Sequence, residues 1–157
     1  KHKDPVLCFR VYPGERKRGM RGFFFTVLIF DNLGDLRAHA KHKNGMLGSP
    51  NRMIGCVQAW RKVRIKKDGK QYIDRELGEI LLSKKHCGVR VVSHECVHAM
   101  FRWAESNGVV KKWIHQEQIG DNFRDASDFE EDMCYAVGDL CCQIYDQLYR
   151  HNIITEG

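Results

Sequence analysis

The chain predicts an α+β fold, with a small antiparallel sheet in its N-terminal half packed on helices of its C-terminal half. Two observations carry this reading. Apolar residues in the first half gather mainly in strand-length runs divided by Gly, Pro and Asp turns, whereas after about residue 90 they recur at helical spacing. Strands followed by helices, rather than strict alternation, indicate α+β. With 157 residues, 43% hydrophobic and 29% charged, the chain fits one globular domain over 1–157 that can bury its own core.

Taken in order, residues 6–12 are rich in strand formers, and Pro13-Gly14 begins a basic turn that runs to Gly22, so a hairpin is expected. The uninterrupted run 23–30, FFFTVLIF, reads as a strand buried on both faces in the middle of a sheet. Asp31 or Asn32 can cap a short helix over 33–43, with Leu33, Leu36 and Ala40 inward and His39 and His42 on the surface. Gly, Ser and Pro over 44–51 signal a loop, and residues 54–65 a strand closed by the Asp68-Gly69 turn. The next strand, 76–83, carries Leu77, Ile80 and Leu82 and leads through Lys84-Lys85-His86-Cys87-Gly88 into a helix. Asn107-Gly108 stops that helix, and 109–118 reads as a short one holding Trp113 and His115. The last helix is expected over 127–151, capped by Ser127 or Asp128, with Val137, Leu140, Cys141, Ile144 and Leu148 as its core stripe.

The formal net charge of +6 is unevenly spread. Residues 1–70 hold 17 Lys/Arg against 5 Asp/Glu (+12), and residues 71–157 hold 9 against 15 (−6). Such a basic half is either a solvated sheet face or an electrostatic footprint for nucleic acid or an acidic partner. Seven cysteines, an odd number without CxxC pairing, suggest free, buried thiols and hence a reducing, cytoplasmic location. No apolar run is long enough for a membrane helix and no secretion signal is legible, although a chain beginning at Lys1 leaves room for a preceding segment.

The most informative stretch is His94-Glu95-Cys96-Val97-His98. On a helix, positions i and i+4 share a face, so His94 and His98 can direct both imidazoles at one Zn2+ with Glu95 on the adjacent edge. Val91 and Phe101 fall beside the histidines, and Val92, Val97, Met100 and Trp103 occupy much of the remaining circumference, so this helix is expected to be buried almost all round. Catalytic zinc usually takes three protein ligands and leaves one position for water. Glu130 and Glu131 open the last helix. Glu131 is preferred because Cys134 and Gly138, at +3 and +7, are small and would let that helix approach closely. Glu130 lies nearer the middle of the apolar stripe.

This combination of His-Glu-x-x-His with a downstream helix reading Glu131-x-x-Cys134-Tyr135-x-x-Gly138 resembles the gluzincin metallopeptidases. The ImmA/IrrE-type and minimal single-domain members are closest in size and element order. The likeness spans roughly residues 76–150 and implies a zincin-like fold, with His94, His98 and Glu131 as zinc ligands. It departs at Tyr135, where many gluzincins place Asp or Asn to orient a ligating histidine. His115 is a rival third ligand, because SprT-like proteases carry a later histidine, although Gln116 stands here where theirs is followed by Gly. Deformylases share the short motif with an upstream cysteine ligand, a place Cys56 would fill.

The activity so implied is hydrolysis of a peptide bond in a protein substrate. Zinc acidifies water, and Glu95 serves first as general base and then as acid. Tyr135, His115 and a tyrosine near the end of the last helix are candidate oxyanion donors. The substrate is expected to add as an extended strand along Glu76–Ser83. In the ImmA/IrrE-type family the target is often a DNA-bound regulator, which the basic half would suit. The competing expectation is a nucleic-acid-associated protein, either a SprT-like DNA-linked protease or a binding module whose zinc site is not catalytic.

Overall fold

The computed structural model describes residues 3–13, 22–44, 53–59, 63–65, 67–73, 75–106 and 123–154. The elements run β1 (Leu7–Val11), β2 (Phe24–Phe30), α1 (Leu33–Asn44), β3 (Cys56–Ala59), β4 (Val63–Ile65), β5 (Gln71–Ile73), β6 (Glu76–Ser83), a 3-10 turn at Lys84–His86, α2 (Val89–Ser106) and α3 (Phe123–Arg150). Four strands form one sheet in the order β1-β2-β6-β3, and β4 pairs with β5 in a separate two-stranded ribbon. The α+β class is as expected.

The sheet is mixed rather than antiparallel. β1 and β2 make the expected antiparallel hairpin, with Leu7 opposite Ile29 and Val11 opposite Phe25. β2 and β6 are parallel, from Phe24 opposite Glu76 to Phe30 opposite Ser83. A parallel pair needs a crossover, and the long connection from β2 to β6 supplies one that includes α1. β3 then adds antiparallel to β6, Cys56 opposite Leu81 and Ala59 opposite Gly78. The single strand expected over 54–65 is divided between the two sheets, and residues 60–62 lie outside the described set.

This pairing places β6 inside the sheet, beside β2 from Glu76 to Ser83 and beside β3 from Gly78 to Leu81, so it is not the edge strand that a substrate strand would extend. The edge beside α2 is β3. A bulge between Phe24 and Phe25 shifts the β2–β6 register past Leu77. Beside it, Gly78 lies so near β3 that a Cβ there would be driven into the Gln58 carbonyl oxygen.

Both faces of the sheet are covered. On one, Phe25, Val27, Ile29, Ile80 and Leu82 pack against Val92, Cys96, Ala99, Met100 and Trp103 of α2 and Ala136, Leu140, Ile144 and Leu148 of α3. On the other, Leu28, Phe30 and Leu81 pack against Leu36 and Ala40 of α1. Two-sided burial accounts for the unbroken apolar run of β2. Asn32 caps α1, its Oδ1 accepting the Asp35 N–H at 2.9 Å. His39 is not a surface residue. It is 6% exposed, and its Nε2 lies 2.9 Å from Glu79 Oε2 of β6. The side chain of His42 lies outside the described residues.

Helix α3 begins at Phe123, four residues ahead of the expected start. It closes in a Schellman turn. Asn152 takes φ 55°, Asn152 N–H donates to the Tyr149 carbonyl at 3.1 Å, and Ile153 N–H to the Leu148 carbonyl at 2.9 Å. Gln143 ties α3 to the end of β1, accepting the Tyr12 N–H at 2.9 Å and donating to the Tyr12 carbonyl at 2.8 Å. All seven cysteines are free, but only Cys87 and Cys96 are buried, and Cys8, Cys134 and Cys142 are exposed. The helix expected over 109–118 falls outside the described residues. Among the described residues no helix is long and apolar enough to cross a membrane.

Candidate metal centre and cleft

The link from β6 into α2 is short and anchored. Buried Cys87 donates its thiol to the Ser83 carbonyl at 2.8 Å, and Val92 N–H donates to the Gly88 carbonyl at 3.0 Å as α2 begins. Burial pushes the Cys87 thiol up to about 11, so it stays protonated and remains a donor. From this anchor α2 lays Val92, Cys96, Ala99 and Trp103 on the core.

The opposite side of α2 is open, contrary to the expectation of burial all round. His94 and His98 are exposed there, with Val97 38% and Phe101 53% exposed. The sheet and α3 together cover only one side of the helix, and the apolar count alone does not reveal which residues face them.

His94 Nε2 and His98 Nε2 lie 3.2 Å apart, their rings near-perpendicular at 75°. Two nitrogens each about 2.0–2.1 Å from a tetrahedral zinc are separated by roughly 3.3–3.4 Å, so the spacing of the pair is close to that of two ligands on one ion. Glu95 turns the other way around the helix and is 5% exposed. Burial lifts its carboxyl from 4.5 to about 7. A Cβ placed on Gly55 would stand 2.9 Å from Glu95 Oε1 and 3.1 Å from Val91 Cγ1, so the chain just before β3 crosses directly over the carboxylate.

These groups border one open cleft of about 340 Å³. Gly55, Cys56 and Val57 form one wall, and His94, Glu95, His98 and Arg102 of α2 form the other. That volume suits one or two side chains rather than a large ligand. Sequence reasoning reached His94, Glu95 and His98, with Cys56 as a lesser candidate, but not Gly55, Val57 or Arg102. Arg102 was within reach, since His94, His98 and Arg102 continue the same four-residue stride along α2. The Cys56 thiol is raised to about 11 by burial and by the Glu95 charge, which keeps it protonated in the metal-free chain.

Among the described residues no third ligand stands with the two histidines. Among the described residues no group of three His, Cys, Asp or Glu is arranged to hold a metal, so Glu131 and Glu130 do not join the histidines. Both are exposed on α3, as is Tyr135 at 63%. The small residues Cys134 and Gly138 do not bring α3 close to α2. Cys134 and Gly138 are exposed, and a Cβ on Gly138 would meet nothing within 4 Å. Contact with α2 is made instead by the face carrying Ala136 and Leu140. His115 lies outside the described residues. No protein-family profile, curated protein or solved structure matches the chain.

Proposed function

We propose that the protein is a zinc-dependent peptidase that hydrolyses a peptide bond of a protein substrate in the cleft between β3 and α2. The observation that carries this reading is the His94–His98 pair, with Nε2 atoms 3.2 Å apart in an open cleft that also holds buried Glu95. His94 and His98 would hold the ion through Nε2. For the third ligand we retain Glu131, which would have to reach the pair from α3 when the ion binds, with Glu130 and His115 as the alternatives that single substitutions separate. A bound zinc ion supplies Lewis acidity, acidifying water and polarising the scissile carbonyl.

The chain's own residues account for the rest. Glu95, with its carboxyl raised towards neutrality, takes a proton at Oε from the attacking water and returns it to the leaving amine. Gly55 keeps the chain close above that carboxylate and shields it from solvent. As the terminal strand of its sheet, β3 rather than β6 offers backbone N–H and C=O groups to an extended substrate.

The test is Glu95→Gln. Cleavage should fall by at least about a thousandfold while zinc content, read by elemental analysis, remains. Unchanged biological activity in that variant would favour the second reading, a nucleic-acid-associated protein working through the basic 1–70 half.

A further inference from the structure

Helices α2 and α3 meet over two sulfur atoms to which the zinc chemistry gives no part. Cys96, between Glu95 and Val97 of the histidine motif, is fully buried in the core, and Cys141 of α3 packs half-buried against the same cluster. The two thiols are hydrogen-bonded to each other across the helix interface. Cys87, the other buried thiol, donates to the Ser83 carbonyl at 2.8 Å instead. Beside the pair lies Tyr145, one helical stride beyond Cys141, and its buried hydroxyl has no hydrogen-bond partner among the described residues. A buried hydroxyl left in that state is costly, and an oxygen placed on a neighbouring sulfur would serve it.

We infer that Cys96 and Cys141 are a redox pair, and that a disulfide between them fixes α3 on the histidine helix. The oxidant is hydrogen peroxide. The half-buried Cys141 sulfur attacks one peroxide oxygen, the O–O bond breaks, and the products are a Cys141 sulfenic acid and one water. Tyr145 donates its O–H to the sulfenic oxygen. The Cys96 sulfur then attacks the Cys141 sulfur, the S–O bond breaks, and the hydroxyl leaves as a second water with the proton from Cys96. Two thiols thereby lose two electrons, and one peroxide becomes two waters. The consequence for the metal rests on the peptidase reading, in which Glu131 or Glu130 approaches the histidines from α3 as the ion binds. Glu131 lies ten residues ahead of Cys141, about 15 Å along the axis of α3. A bond from the middle of α3 to the residue next to Glu95 opposes movement of α3 along α2, so the oxidised chain holds zinc more weakly than the reduced one.

Two measurements on the purified full-length chain decide it. The first is peptide mapping by mass spectrometry of the metal-free chain after treatment with hydrogen peroxide, taken from the monomer band of a non-reducing gel. Trypsin isolates Cys96 in the peptide 91–102, and chymotryptic cleavage after Tyr135 parts Cys134 from Cys141. The two peptides should appear joined, with the mass of two hydrogens lost. Cys142→Ser should leave that link in place and Cys141→Ser should remove it. The second is zinc affinity, read by competition with a chelating dye. A single hydrogen-bonded supporter of a metal ligand is worth roughly tenfold to a hundredfold in affinity, so the oxidised wild type should bind at least about tenfold more weakly than the reduced. Affinity should return on treatment with a phosphine, which cleaves the disulfide and leaves oxidised methionines as they are, and the same oxidation should leave the affinity of Cys141→Ser unchanged.

No link between the two peptides, or a link that persists in Cys141→Ser, overturns the pair. A link that forms while zinc affinity stays the same overturns the fixing of α3 and leaves the peptidase reading standing. A reduced chain that takes up no zinc sinks the peptidase reading instead, and the peptide map alone then decides whether the pair forms.

Discussion

Gly55 and Glu95 show how narrowly the cleft is built at the scale of single residues. Adding one methyl at Gly55 would bring a carbon within 2.9 Å of the Glu95 carboxylate, and the flexible end of Glu95 would yield before the backbone does. Gly55→Ala should therefore leave the fold intact by circular dichroism yet lower the turnover of a model peptide by roughly tenfold to a hundredfold, since a misplacement of about 1 Å can cost that much. The same carboxyl predicts a pH effect on stability. Its folded value is raised to about 7 from an unfolded 4.5, so the folded metal-free chain holds a proton that the unfolded chain has released. The associated stability is complete below pH 4.5, declines as pH rises through about 7, and is level above. Urea midpoints of chelator-treated protein should fall across that window, and Glu95→Gln should flatten the fall. At this scale the sequence was most informative where chemistry and spacing coincide, as in His94, Glu95 and His98. It was silent on Gly55, whose role depends on a strand brought over α2 from 40 positions earlier in the chain.

Among the elements, α1 shows the limit of local pattern. Leu36 and Ala40 face inward as the spacing predicts, but His39 does so as well, because its partner Glu79 lies on a strand 40 residues away. Glu79→Leu would remove the carboxylate from beneath a buried imidazole and should lower stability by roughly 3 kcal/mol in a denaturant titration, whereas the joint change His39→Leu with Glu79→Leu should recover much of that loss. At the end of α3, Asn152 holds φ 55°, a conformation that glycine adopts freely and alanine does not. Asn152→Gly should be neutral or slightly stabilising, and Asn152→Ala should cost about 1 kcal/mol. The strands themselves were legible from composition, β2 above all, because burial on both faces leaves an unbroken apolar run. Their order was not, since a run of Leu and Ile does not state its neighbours, and β6 looks equally apt for an edge or an interior place.

For the molecule as a whole, the helix bearing the histidines is held by the sheet and α3 on one side only, leaving the proposed zinc ligands in contact with solvent. Metal binding should then appear as linked stability. Added zinc should raise the thermal midpoint with concentration, reflecting about 2.7 kcal/mol of added stability at a hundred times Kd, and His94→Ala or His98→Ala should abolish the response. Glu131→Gln, Glu130→Gln and His115→Ala, compared by zinc content, identify the remaining ligand as the one whose loss lowers it.

The position of β6 has a consequence for biogenesis. It is synthesised after β2 and β3 yet threads between them, so neither neighbour has its final seam until residue 83 has emerged. Until then β3 has no partner in the sheet, and the helix that forms the other bank of the cleft is made only afterwards. A chain terminated before α2 has neither His94 nor His98 to set against β3, so the activity proposed for the cleft waits on both the closing strand and the helix that follows it.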